Sequence, residues 1–125
     1  MLACGFFHIR KLEHNGQTVE ALLDIDSGHQ VFQGHFPGQP VVPGVCMMQI
    51  VKEILQTALQ RRTRLVSAGN LKFLSLIDPT RQEQISAQVK YGFNAEAEVA
   101  VTATLTDTEV TYFKMNAVFV FETTE

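Results

Sequence analysis

The residues best suited by type and spacing to do chemistry surround one histidine. His35 lies in the stretch GHFPGQPVVPGVCMMQ, residues 34–49, where three prolines and three glycines fall between Gly34 and Gly44. Proline fixes φ and glycine admits conformations closed to other residues, so the stretch encodes one particular backbone path. A loop specified this tightly holds something in place, and histidine is the side chain whose charge changes near neutral pH. The loop runs into an apolar run beginning at Val45. Pro43-Gly44 just ahead of that run leaves the first helical N–H groups without intrahelical acceptors, a place that favours negative charge. Gln49 and Glu53 follow one turn apart on one helix face, with Cα atoms about 6 Å apart along the axis.

Other candidate sites are weaker. His8, His14 and His29 have no ligand-like spacing around them, and a metal site needs clustered His, Cys or carboxylates, so no metal is expected. Asp24-x-Asp26 is an alternating strand pair, not a calcium loop. The Arg61-Arg62-Thr63-Arg64 cluster reads as a solvated helix end, where cations suit the dipole. Cys46 falls within the apolar run and reads as a small buried hydrophobe. With Cys4 as the only other cysteine, no disulfide framework is expected and a reducing compartment fits.

The elements that must position these residues follow from periodicity. Residues 6–13 read as a strand, Asn15-Gly16 as a hairpin turn, and 17–26 as a second strand in which Val19, Ala21, Leu23 and Ile25 alternate with their neighbours. The run from Val45 to about Gln60 is helical and apolar almost all round in its first half, so it is a buried helix. Strands are expected at 65–75, 82–91, 96–106 and 110–121, with turns at Asp78-Pro79, Gly92 to Asn94, and Asp107-Thr108. A single apolar helix is most economically covered by a long antiparallel sheet curved around it, an α+β arrangement of about six strands.

Composition limits the function. At 125 residues the chain reads as one domain, 1–125, and 46% hydrophobic residues suffice for a packed core. A net charge of −3 with no basic stretch argues against nucleic acid as a partner. No apolar run reaches membrane-spanning length, and the first residues lack the basic start and long apolar region of a signal peptide, so the expected location is cytoplasmic.

On GHFPGxPxxPGV from Gly34 to Val45, the chain resembles the hotdog-fold 3-hydroxyacyl-acyl-carrier-protein dehydratases of fatty acid biosynthesis. The preceding Val31-Phe32-Gln33 and the later Leu71-Lys72-Phe73 with Pro79 are weaker echoes, and the order of strands is similar over essentially the whole length. The resemblance implies a hotdog fold and a lyase that eliminates water from a 3-hydroxyacyl thioester, a step of lipid metabolism. His35 would be the base that removes the α proton, and the backbone N–H groups of Gly44 and Val45 would polarise the carbonyl. The family places its acid, Glu or Asp, fourteen residues after the histidine, on the helix of the facing subunit, and a Gln one turn later. Here Gln49 and Glu53 stand at those places, so acid and amide are exchanged. An amide can hydrogen-bond a hydroxyl but cannot deliver a proton.

The resemblance further implies an acyl channel lined by Phe32, Phe36, Pro43, Met47 and Met48, with Lys72 and Arg81 attracting an acidic acyl carrier protein. The substrate would be carried on phosphopantetheine, as an acyl carrier protein or acyl-CoA thioester, and no further cofactor is implied. A homodimer or higher oligomer is expected. Two alternatives stand beside the enzyme reading. One is a non-catalytic or half-catalytic partner subunit of a heteromeric hotdog dehydratase, and the other an acyl thioesterase.

Overall fold

The structure, a computed structural model, describes residues 5–26, 42–79 and 81–122. The elements, in chain order, are β1 (Phe7–Asn15), β2 (Thr18–Ile25), α1 (Gly44–Leu59), β3 (Thr63–Phe73), β4 (Gln84–Phe93), β5 (Val99–Thr106) and β6 (Thr111–Phe121). The six strands form one sheet in the order β1-β2-β4-β5-β6-β3, antiparallel at every pairing. This is the hotdog architecture: a curved antiparallel sheet wrapped around one helix, as the apolar run from Val45 demanded.

Alternation decides which face of the sheet meets the helix. Val19, Ala21, Leu23 and Ile25 of β2 point inward with Ile85, Ala87 and Val89 of β4, and all are buried. Val99, Val101, Ala103 and Leu105 of β5 continue the surface into Phe113, Met115, Ala117 and Phe119 of β6. Cys46, Met47, Ile50, Val51, Ile54 and Leu55 of α1 fill the concavity. Burying each large side chain is worth about 1.5–3 kcal/mol, so this interface is the main source of stability. The alternating inward positions of β2 match the sequence expectation, whereas Val45, the first residue of the apolar run expected to be buried, is 45% exposed at the open head of the helix.

Element ends differ from that expectation for local reasons. The helix stops at Leu59 because Gln60 adopts a left-handed conformation, φ 55°. Gln56 then reaches over the reversal, and its Oε1 accepts from the N–H of fully buried Thr63 at 2.8 Å. This ties the start of β3 to the helix and begins the strand earlier than the arginine cluster suggests. Of that cluster, Arg61 lies over the Phe121 ring at 3.9 Å, Arg62 faces Glu122 at 3.9 Å, and Arg64 is already within β3 opposite Val120.

The strand expected from residue 96 begins at Val99 instead. Asn94 Oδ1 accepts from the N–H groups of both Glu96 and Glu98 at 3.0 Å, and Ala97 turns through φ 60°. That turn takes up the residues the alternation pattern had assigned to strand. Cys46 is buried as expected, but it is disulfide-bonded and not the free thiol that the sequence suggested. Pairing is set by spatial approach, which sequence spacing does not report.

Candidate active site

The start of α1 is the focus of the site. Pro43 is its N-cap residue with extended backbone, φ −62° and ψ 144°, and no side chain caps the helix. The Pro43 carbonyl accepts from Cys46 N at 3.0 Å and from Met47 N at 3.2 Å. Among the described residues nothing accepts from the N–H of Gly44 or Val45. These two amides therefore stand without an acceptor among the described residues, at the end of the helix that carries partial positive charge.

Several contacts hold this turn in place. The Val42 N–H donates to the Ile77 carbonyl at 3.0 Å, which ties the entry of the helix to the segment after β3. That segment is anchored in turn by Leu74 N and Ser75 N, both donating to the Tyr112 carbonyl of β6, at 2.8 and 3.3 Å. Phe73, the last residue of β3, lies directly against Gly44: a Cβ on that glycine would stand 2.8 Å from Phe73 Cε1. Position 44 is thus glycine because of a close approach, since its backbone conformation makes no such demand.

His35, Phe32 and Phe36 lie outside the described residues. Of the other channel candidates, Met47 is buried in the core at 3% exposure and Met48 packs half-buried beside it, while Pro43 is half-buried at the helix start. Gln49 and Glu53 share one face of α1 as the spacing required, and Gln49 Nε2 donates to Glu53 Oε1 at 3.4 Å. Glu53 is exposed and opens onto a shallow groove of about 400 Å³ shared with Gln56, Thr57, Gln60, Arg61 and Arg62. Lys72 is exposed on β3, directly opposite Lys114 of β6. Arg81 sits in the turn at 78–82 with its Nε 4.0 Å from Asp78 Oδ2. The structure therefore brings Gly44, Val45 and Pro43 together at one end of the helix, sets Gln49 and Glu53 along its face, and leaves the two cations at separate places on the surface.

Sequence reasoning missed Phe73 as a member of this neighbourhood. It noted the residue only as part of a weak motif echo. The signal was present in Gly44 itself, a glycine at the first turn of a helix with no turn to make.

Two further groups are electrostatically distinctive but lie at the β5–β6 turn. The Tyr112 hydroxyl donates to Asp107 Oδ2, and Asp107 Oδ1 accepts from the N–H groups of Glu109 and Val110 at 2.9 and 2.8 Å. These donors, the tyrosine foremost, lower the Asp107 pKa below the usual carboxylate range. Burial, with Asp107 beside it, pushes the Tyr112 hydroxyl up to about 12. The arrangement locks a hairpin.

Comparison with known proteins decides the family. The family described as ApeI-like, ApeI dehydratase, matches residues 11–112. The chain belongs to the ApeI-like dehydratase family. Among curated relatives of this ApeI-like chain, the 3-hydroxyacyl-(acyl-carrier-protein) dehydratase FabZ of Thermus thermophilus is 35% identical over 72 residues, covering 58% of the chain and 50% of the relative. The FabZ of Pelotomaculum thermopropionicum is 33% identical over 67 residues, covering 54% and 46%. The chain thus spans about half the length of the curated relatives it matches. Among solved structures, the dehydratase heterocomplex ApeI:P from Xenorhabdus doucetiae superposes with a TM-score of 0.72 at 21% identity, covering 90% of this chain and 96% of that one. A mutant thioesterase from Staphylococcus aureus superposes at 0.68 with 8% identity, covering 95% and 96%. These likenesses establish the hotdog fold. Among the described residues no helix is long and apolar enough to cross a membrane.

Proposed function

We propose that this chain is a subunit of a 3-hydroxyacyl-thioester dehydratase, eliminating water from an acyl chain carried on phosphopantetheine. The observation that carries the reading is the pair of amides, Gly44 and Val45, left without an acceptor among the described residues at the head of a buried helix in a dehydratase-family chain. In α,β-elimination the thioester oxygen gains negative charge as the α proton leaves. Two fixed N–H donors with a helix dipole behind them stabilise that oxyanion without reorganising. His35, in the locked loop just before the helix, takes the α proton, and the β hydroxyl leaves as water once it receives a proton.

The acid is the open part of the chemistry. Gln49 holds the place where the dehydratase pattern has a carboxylate, and its amide has no proton to give at neutral pH. Glu53 is the nearest carboxylate on that helix face, and the Gln49 amide hydrogen-bonds it at 3.4 Å. In one reading Glu53 delivers the proton and Gln49 orients it. In the other, a second hotdog subunit supplies the carboxylate and this chain contributes the base half. The structural neighbour described as a heterocomplex supports the second arrangement.

Assembly and carrier follow the same reading. β3 ends the sheet with one edge unpaired among the described residues, and Val66, Leu71 and Phe73 on it are exposed. A second hotdog chain, like or unlike, covers that edge. Lys72 directly opposite Lys114 is an unfavourable pair in isolation and suits an acidic acyl carrier protein.

The test is hydration of a short enoyl thioester on carrier protein, run with the purified chain and with His35→Ala. Turnover that disappears in His35→Ala supports the enzyme reading, whereas turnover retained in that variant removes His35 as base. A folded but inactive chain that becomes active only with a second hotdog subunit favours the half-site arrangement.

A further inference from the structure

The turn that carries the Gly44 and Val45 amides is held from one place, the start of β6. On one side of Pro43, the Val42 N–H donates to the Ile77 carbonyl at 3.0 Å. The segment bearing Ile77 leaves β3 at the Tyr112 carbonyl, which accepts from Leu74 N at 2.8 Å and Ser75 N at 3.3 Å. On the other side of Pro43, Gly44 lies against the Phe73 ring, and that ring tilts against fully buried Phe113 with centroids 5.0 Å apart. Consecutive residues of β6 thus reach both neighbours of the helix N-cap, one through backbone bonds and the other through ring packing.

A side chain fixes the start of β6 in turn. Tyr112 is 3% exposed, and its hydroxyl donates to Asp107 Oδ2 across the β5–β6 turn. Asp107 is itself immobilised, since its Oδ1 accepts from the Glu109 and Val110 N–H groups and its own N–H donates to the Val110 carbonyl at 2.9 Å. The tyrosine is therefore pinned at its hydroxyl by the turn and at its carbonyl by the amides of residues 74 and 75. A hydrogen bond to a carboxylate is roughly twice as strong as one between neutral groups. Leu74 and Leu76, by contrast, are exposed, so side-chain burial does little to hold the segment between Tyr112 and Ile77.

We propose that Tyr112 is a positioning residue for the reaction: pinned by Asp107, it sets through residues 74–77 where the Gly44 and Val45 amides stand. The inference rests on the thioester reading above and adds to it a residue that belongs neither to the motif around His35 nor to the face of α1. An oxyanion donor works at about 2.7–3.1 Å from the charge it meets, so a shift of less than an ångström at the helix head is felt in turnover. Hydrogen-bond networks and packed side chains carry such shifts between distant residues.

Two readouts test this in the wild-type chain, Tyr112→Phe, Asp107→Asn and a control, Val19→Ala, which truncates a fully buried side chain of β2 outside this set of contacts. The first is hydrogen exchange of single amides, followed by NMR. Tyr112→Phe should speed exchange at Val42, Leu74 and Ser75 by about tenfold more than at the β2–β4 ladder, and Val19→Ala should not single these amides out. The second is turnover of a short enoyl thioester on carrier protein, by the chain alone and with a second hotdog subunit where it requires one. Tyr112→Phe should lower kcat about tenfold at nearly unchanged KM, because the donors are misplaced while the rest of the substrate contacts persist. Asp107→Asn should keep most of the turnover: its Oδ1 still caps the turn, and its amide donates to the tyrosine oxygen.

Unchanged exchange at Val42 in Tyr112→Phe overturns the proposal, as does a kcat no lower than that of Val19→Ala. A rise in KM alone overturns it too, and would assign Tyr112 to substrate binding. If the wild-type chain turns over nothing under either condition, the thioester reading fails and this inference with it. That result is distinct from an active wild type whose kcat Tyr112→Phe leaves intact, which removes this inference alone.

Discussion

At the scale of single residues, the proposed chemistry turns on an amide where a carboxylate is expected. Gln49 donates to Glu53 at 3.4 Å, a long hydrogen bond on an exposed helix face. If proton delivery limits turnover, Gln49→Glu should raise dehydration at least tenfold, about 1.4 kcal/mol of barrier. The measurement is kcat/KM with a 3-hydroxyacyl thioester on carrier protein. No change in that variant, combined with loss of activity in Glu53→Gln, would assign the acid to Glu53. His35 stood out in the sequence because prolines and glycines surround it. Phe73 did not, because its meaning lies in contact with a residue 29 positions earlier, and no periodicity registers that.

At the scale of elements, side-chain caps fix the ends that alternation leaves open. Gln60 closes α1 in a left-handed conformation that strains any residue with a Cβ. Gln60→Gly should therefore stabilise the chain by about 1 kcal/mol, read as a higher denaturant midpoint at unchanged slope. The β5–β6 hairpin makes a prediction in pH. Tyr112 has its pKa raised from 10.0 to about 12, so its contribution is complete below pH 10 and is lost as pH rises toward about 12. Asp107 has its pKa lowered, so its contribution is present at neutral pH and is lost as pH falls through the acid range. Tyr112→Phe should cost about 1 kcal/mol at pH 7 and flatten the alkaline limb of a stability–pH curve. An unchanged alkaline limb would show that Tyr112 does not titrate there.

At the scale of the whole molecule, strand order determines what remains available to partners. β3 follows the helix in sequence but takes the far edge of the sheet beside β6, which leaves its outer edge unpaired among the described residues. It also sets Lys72 opposite Lys114, where two cations gain from an acidic neighbour. The double variant Lys72→Glu with Lys114→Glu should raise KM for a carrier-protein substrate at least tenfold and leave the pantetheine or CoA form nearly unchanged. Equal KM values for the carrier form before and after would place carrier docking elsewhere. The salt dependence of the carrier KM should weaken in the same variant.

Sequence alone determined that one apolar helix is enclosed by alternating strands, that prolines and glycines surround His35 ahead of that helix, and that Gln49 and Glu53 share a helix face. Each of these is a local property, carried by periods of about 3.6 and 2 residues or by the fixed φ of proline. Tertiary structure alone decided which strand ends the sheet, which carbonyls hold the head of the helix, that Cys46 is bonded, and that the Phe73 ring meets Gly44. Those are contacts between residues distant in sequence. They are set when the sheet closes around the helix and close packing leaves each side chain one place to go.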